Sequence, residues 1–436
     1  MDVPVTEVTY PVNFREEDAR NLGEHIRSRH SVQMIGMKRV GISNFLRFFL
    51  YHKDIVTTYI SREQKFLYIP VDLNDLIERE IYPFWSLTLK RIVDTIERSY
   101  LPGLDKEKID SLFLTSIQSQ DLFLTIDSVR RALVDITSTG VCPTLFFLRF
   151  DRMKEVVTPQ FFDNLQGLKD ATHQKLSYVF TSYRSLEELS PTVFTKASVS
   201  MFAHPMYIKP TEEKDMRAIY ETIRDKYTVQ LTPELELGLF EYSAGYVQYL
   251  QLGLIALSEK KTASLSSKNE LFEILINDER ILLQSEEIYE SLIKNEKEVL
   301  GRVAKGESID EGAKRSAKYL WDTGIVKVID GKDTLFSPLL AHYLKKQQDR
   351  PASDSKNVHF TKKENMLFEL LKEYENAICE REVIVEKVWP EYKEFGVSDW
   401  AIDRLVARVR SKIKQQGIDY EIVTVRTRGY KLTSSF

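Results

Sequence analysis

Cysteine is nearly absent, and that absence narrows the field first. Cys142 and Cys379 are the two cysteines in 436 residues. They stand far apart in apolar runs, which excludes a disulfide framework or a thiolate metal site and reads as two reduced core residues. The seven histidines, His25, His30, His52, His173, His204, His342 and His359, show no H-E-x-x-H or other ligand spacing, so no metal centre is expected. There is no G-x-S-x-G nucleophile elbow. Glu286, Glu287 and Glu290, and then Glu296 and Glu298, are clustered carboxylates. They read as solvated helix faces rather than acid/base pairs, since Lys294 and Lys297 interleave the second group. No catalytic residue is therefore assigned. Long apolar runs are missing as well. Nothing approaches the roughly 18 residues a membrane span requires, and the polar, acidic Met1–Arg20 is not a signal peptide. The expected compartment is the cytoplasm, with no membrane partner.

What is present is ordinary in bulk and uneven in distribution. The hydrophobic share of 43% and charged share of 29% fit a globular chain of about three domains. The net charge is only −4, yet Val397–Leu432 holds eight basic residues against four acidic. Read as a helix, Ser398–Ile413 sets Ile402, Leu405, Val406, Val409 and Ile413 on one stripe. Ser398 is a suitable N-cap, and Asp399 suits the positive end of the helix dipole. Trp400, Arg404, Arg408 and Ser411 share the opposite face, with Arg410 and Lys412 on its flanks. A loop through Gly417 leads to an alternating strand, Glu421–Val425, and then to a basic turn with Arg426 and Arg428. A helix followed by a basic hairpin is the geometry of a winged helix. Its helix enters the major groove and its wing meets backbone or minor groove.

The same stretch carries a family resemblance. Phe360-Thr361-Lys362-Lys363-Glu364, Cys379-Glu380-Arg381-Glu382, Val388-Trp389, Val397-Ser398-Asp399, Ile402-Asp403-Arg404-Leu405, Arg408-Val409-Arg410-Ser411-Lys412 and Thr424-Val425-Arg426-Thr427-Arg428-Gly429-Tyr430 follow in order. Residues 357–436 thus resemble the OmpR/PhoB-type winged-helix output domains of bacterial transcription regulators. The family usually has Gly where Thr427 stands, and a polar or basic group is common where Leu405 and Ala407 stand. The resemblance implies double-stranded DNA as partner. Trp400, Arg404 and Arg408 would read bases, Arg410 and Lys412 would meet phosphate, and Arg426 and Arg428 would form the wing. The competing expectation is that Arg404 pairs with Asp399 or Asp403 on a solvated face.

The N-terminal half opens with a short apolar strand, Ser31–Ile35, then Gly36-Met37-Lys38-Arg39-Val40-Gly41-Ile42-Ser43 and an apolar helix. Strand, glycine loop and helix is the setting of a P-loop, G-x-x-x-x-G-K-S/T. Gly36, Gly41 and Ser43 fit, but Ile42 stands where the lysine meets the β and γ phosphates. Lys38 and Arg39 are the nearest other cations. Thr144–Met153 falls where a Walker B strand would, with Asp151 as the candidate acid in a shifted register. Otherwise Leu148 and Arg149 replace the two acids of the motif.

Taken with Lys175–Arg184 and Val199–Ile208, residues 1–210 resemble a degenerate ATPase core of the STAND/AAA+ type. That resemblance implies ATP or ADP with Mg²⁺ at Gly36, Gly41, Ser43 and Asp151, if any nucleotide binds. In Tyr242–Val247, Val247 occupies the proline position of the family's lid motif.

The expected class is multidomain α/β plus α+β. It comprises a P-loop-type three-layer core over 1–210, a helical lid over 211–275, an internal winged helix over 276–345, a linker over 346–356, and the C-terminal domain over 357–436. The functional expectation is a DNA-binding transcriptional regulator with a pseudo-ATPase body that lacks hydrolysis, serving in sensing or in assembly through a homo-oligomer or protein partner. The alternatives are a nucleotide-gated STAND-type switch and an adaptor whose winged helices dock proteins.

Overall fold

The computed structural model describes residues 5–60, 63–76, 78–194, 202–227, 229–259, 265, 267–348, 360–390, 399–425 and 428–434; of Gln348, Asp399 and Trp400 it describes the backbone alone. The chain divides into two compact units, residues 1–284 with 291–342, and residues 285–290 with 343–436.

The first unit is built on five parallel strands: β1 (Ser31–Gly36), β2 (Phe66–Asp72), β3 (Cys142–Leu148), β4 (Ser177–Ser182) and β5 (Ala203–Ile208). Their order is β2-β3-β4-β1-β5, with every pairing parallel. Successive strand residues point to opposite faces, so an unbroken buried run means cover on both faces. β1 and β4 are buried at every position. At the edge, β2 alternates, with Leu67, Ile69 and Val71 inward. Helices Ile81–Arg98, Leu122–Ser138 and Pro159–Ala171 share one core with β2, β3 and β4. The layered α/β core is therefore as expected from the sequence.

Several elements differ from the periodicity reading. Lys106–Ser119 forms a helix capped by the Asp105 carboxylate, which accepts from the Lys108 amide at 3.0 Å. Its weak apolar stripe buries few residues, which is why the pattern does not reveal it. Pro233–Leu257 reads as one helix but is two, Pro233–Ser243 and Val247–Glu259. The break falls at Ala244 and Gly245, with φ of 49° and 84°. A Cβ on Gly245 would stand 2.0 Å from the Thr211 carbonyl oxygen, so only glycine permits this approach. Ala313–Asp322 likewise splits into Glu311–Ser316 and Tyr319–Asp322. β6 (Val326–Ile329) and β7 (Lys332–Leu335) form the expected hairpin. Asp330 and Gly331 both adopt positive φ, as a type I′ turn requires. Helix Pro338–Gln348 runs past position 345, carried by buried Leu339, Leu340, Tyr343 and Leu344. The start of the expected linker is thus helical, and its remainder lies outside the described residues.

In the second unit, Thr361 begins helix Lys362–Glu373 with the capping box read from the sequence. The Glu364 carboxylate accepts from the Thr361 amide at 2.6 Å, and Thr361 Oγ1 accepts from the Glu364 amide at 3.5 Å. β8 (Ile378–Glu380), helix Arg381–Val388, helix Asp399–Gln416, β9 (Tyr420–Val425) and β10 (Gly429–Ser434) follow. The antiparallel sheet has the order β8-β10-β9. Ile402, Leu405, Val406, Val409 and Ile413 are all buried, in one core with Trp389, Tyr430 and Leu432. The helical stripe fixes which face of Asp399–Gln416 turns outward. Ser398 lies outside the described residues.

Candidate functional site

The glycine loop forms as its sequence context requires, between the end of β1 and helix Ile42–Tyr51. What surrounds it is mostly apolar. A Cβ on Gly36 would meet Val40 Cγ1 at 2.9 Å and Ile42 Cδ1 at 3.2 Å, while one on Gly41 would meet Val247 Cγ2 at 2.8 Å. Met37 and Val40 are fully buried. The Val40 amide, one of the donors a phosphate would use, is spent on the Met37 carbonyl at 3.2 Å. Tyr246 donates its hydroxyl to the Lys38 carbonyl at 2.5 Å and accepts from Gln284 at 3.0 Å. The lid segment around Val247 is thereby fastened to the loop. Ser43 sits exposed in the first turn of the helix.

Asp151 follows β3 in a 3₁₀ turn, Phe150–Met153. The parallel sheet brings it to the same end as the glycine loop. Burial raises its carboxyl above the usual range, while the charges of Lys38, Arg152 and Arg149 pull the other way. Lys38 also lies over the Tyr183 ring, 5.1 Å from its centroid. Gly36, Gly41, Ser43 and Asp151 therefore share one end of the sheet. Arg149 forms an ion pair with Asp72 at the end of β2, and its amide donates to Thr181 Oγ1 at 2.8 Å. Arg184, just after β4, is buried against Glu296, with NH1 to Oε1 at 2.7 Å and NH2 to Oε2 at 2.5 Å. These cations are tied into the scaffold, and Ile42 adds no charge at the loop. A triphosphate needs positive charge beside the helix N-terminus, and the lysine position of the loop holds Ile42 instead.

The second unit places its arginines by a different logic. Opposite the buried stripe, Arg404 Nε donates to Glu286 Oε1 at 3.2 Å, and Arg408 pairs with the other oxygen of the same carboxylate. Glu286 is 8% exposed. The expectation of a solvated Glu286–Glu290 face is corrected: Glu286 and Glu287 are buried, and Glu286 bridges the two arginines expected to read bases. Sequence spacing carries no sign of this pairing, because 118 residues separate Glu286 from Arg404.

Arg410 donates to the Ile422 carbonyl and to Thr424 Oγ1, both at 2.8 Å, and so joins the helix to β9. Lys412 reaches Glu364 Oε2 at 2.7 Å. Both have intradomain partners that position the helix, a role the phosphate expectation overlooked. Asp403 is not the partner of Arg404. It accepts from the Tyr430 hydroxyl and from Arg381 at 2.6 Å, and Arg381 also reaches the Tyr430 oxygen at 2.9 Å. Arg428 is exposed at the hairpin turn, with Glu380 at 4.0 Å. Arg426 and the side chain of Trp400 lie outside the described residues.

Comparison with known proteins finds one family match and several distant structural likenesses. Residues 355–432 match the family described as "Transcriptional regulatory protein, C terminal". No curated protein matches the chain. Among solved structures, a Walker-type ATPase of Pyrococcus abyssi is 16% identical, with 76% of this chain and 95% of that one covered at a TM-score of 0.44. The Aeropyrum pernix ORC2 protein is 12% identical over 77% and 94% of the two chains, with a TM-score of 0.39. The Aeropyrum pernix ORC1 protein in complex with DNA is 13% identical over 97% and 89%, with a TM-score of 0.34. Residues 355–432 thus form an OmpR/PhoB-type winged-helix domain, and the chain carries a five-stranded parallel α/β domain before it.

Proposed function

We propose that this protein is a DNA-binding transcriptional regulator whose ATPase-like body does not hydrolyse ATP. The observation that carries the reading is helix Asp399–Gln416. Its apolar stripe is buried, and Arg404 and Arg408 stand on the opposite face beside the β9–β10 hairpin. Such a helix lies in the major groove, where an arginine fork matches the O6 and N7 atoms of guanine. Arg410, Lys412 and the Asp403–Tyr430–Arg381 group hold the helix on the sheet and fix its angle. Glu286 competes with DNA for Arg404 and Arg408. Arg428, with Arg426, supplies the wing that follows the backbone or a narrow minor groove.

For the body, Ile42 at the lysine position, the paired Arg149 and the apolar packing around Gly36 and Gly41 favour a scaffold over an enzyme. Its place is then assembly or partner sensing, in a cytoplasmic protein. Among the described residues no helix is long and apolar enough to cross a membrane. Selection of genomic DNA fragments by the full-length protein tests the reading. A shared sequence motif in the bound fragments is the expected result, and salt-sensitive retention without any motif would contradict specific regulation.

A further inference from the structure

Three histidines that share no motif converge at the N-terminal end of the five-stranded sheet. His25 lies in the last turn of helix Glu16–Arg27, His30 immediately precedes β1, and His204 lies on β5. The backbone brings the first two together. The Arg29 amide donates to the Ile26 carbonyl and the His30 amide to the His25 carbonyl, both at 2.9 Å, while Arg29 adopts φ of 59°. This is a Schellman ending, in which the residue after the left-handed one characteristically meets the residue five before it. That contact here is His30 on His25.

The parallel register then sets His204 opposite Val32, two residues into the neighbouring chain run. Ring centroids are 5.0 Å apart for His25 and His204, 4.8 Å for His30 and His204, and 5.9 Å for His25 and His30. A ligand nitrogen from each ring lies within 4.8 Å of the others.

We propose that His25, His30 and His204 bind one divalent transition metal ion of the zinc class, through three imidazole nitrogens with the fourth position left to water. Zinc takes nitrogen ligands at about 2.0–2.1 Å in a tetrahedron, which sets ligand atoms ~3.3 Å apart. Side-chain rotation closes the remaining gap, because His30 and His204 are exposed and His25 is half-buried. Burial and the neighbouring imidazoles lower the affinity of His25 and His30 for a proton, which favours the neutral, ligating form. Lys169 lies near His30 and opposes a cation, but its ammonium is turned to Ser31 Oγ at 3.3 Å. Imidazoles without carboxylates select zinc, nickel, copper or cobalt over magnesium and calcium. The ion would clamp the end of a helix to the edge strand, about 20 Å along β1 from the glycine loop.

The test uses the full-length protein with ZnCl₂ and CoCl₂. One Co²⁺ per chain should give visible d–d absorption, and Zn²⁺ at a 100-fold excess over its Kd should raise the melting temperature by about 4 °C. Both effects should vanish in His204→Ala and His30→Ala, whose metal-free melts should match the wild type. They should persist in His173→Ala. Absence of either effect in the wild type, their survival in His204→Ala, or an equal shift with MgCl₂ would overturn the assignment.

Discussion

The glycine-loop end of the sheet and the outward face of helix Asp399–Gln416 are both inherited-looking sites, and they have fared differently. At the sheet, the scaffold is intact: parallel strands in the order β2-β3-β4-β1-β5, with the loop and Asp151 at one end. There Ile42 stands at the lysine position, Arg149 pairs with Asp72 and Arg184 pairs with Glu296. At the helix, a buried stripe and a tyrosine-anchored sheet turn two arginines outward, where the single Glu286 carboxylate meets both. A fold persists on the spacing of apolar residues, which tolerates many sequences. A phosphate site depends on a few particular charges.

The comparison breaks most visibly at Gly429. A Cβ there would stand 2.0 Å from the Cys379 carbonyl oxygen. Gly429→Ala should therefore separate β10 from β8 and cost on the order of 3 kcal/mol. Hydrogen exchange over residues 378–380 and 429–434 reads this directly, and unchanged protection would show that the close approach is dispensable.

Next in size are the arginines. Arg404→Ala or Arg408→Ala should weaken binding to a selected duplex by about 1–3 kcal/mol and relax preference at particular base pairs. A competition assay over single-base variants of the duplex measures both.

A similar or smaller effect concerns the Lys412–Glu364 pair. Burial tends to raise the Glu364 carboxyl, but the hydrogen bonds from Lys412 and Thr361 prevail and hold it below the usual glutamate range. A folded-state value below the unfolded one stabilises the domain above about pH 4.5, and that contribution is lost as pH falls through the folded value. Lys412→Ala should cost about 1–3 kcal/mol at pH 7 and flatten the acid limb of a pH–denaturation series. An unchanged limb would show the pair is not coupled to stability.

Smaller again, Glu286→Gln should tighten DNA binding by about 1 kcal/mol or less at low salt, since its partners are partly solvated. The expected gain shrinks as salt rises, and weaker binding would contradict competition at these arginines. The smallest expected effect is none: Ser43→Ala should leave ATP turnover at background, as in the wild type. Turnover that Ser43→Ala abolishes would place live chemistry at the loop.

The sequence makes the scaffold legible because apolar spacing is local. The stripe from Ile402 to Ile413, the Thr361–Glu364 box and the strand β1 before its glycines all follow from residues within a few positions of one another. The break at Gly245 is less visible, since it depends on what the chain meets elsewhere. Gly245 must pass the Thr211 carbonyl, and no periodicity announces that. The same holds for the sites. Arg404 and Arg408 are readable as one helical face, but their carboxylate, Glu286, arrives from far along the chain. Arg410 and Lys412 look like free surface cations until β9 and Glu364 are seen beside them. His25 and His204 become neighbours only through the pairing of β1 with β5.

The central claim is that the outward face of helix Asp399–Gln416 reads DNA while the nucleotide site is silent. Fluorescence anisotropy of the full-length protein with a selected and a scrambled duplex, at several salt concentrations and with or without ATP and Mg²⁺, tests it most directly. Wild type should prefer the selected duplex, Arg408→Ala should lose most of that preference while retaining salt-dependent background binding, and nucleotide should change neither curve. Equal binding of both duplexes by the two proteins, or a preference that appears only with ATP, would contradict the account.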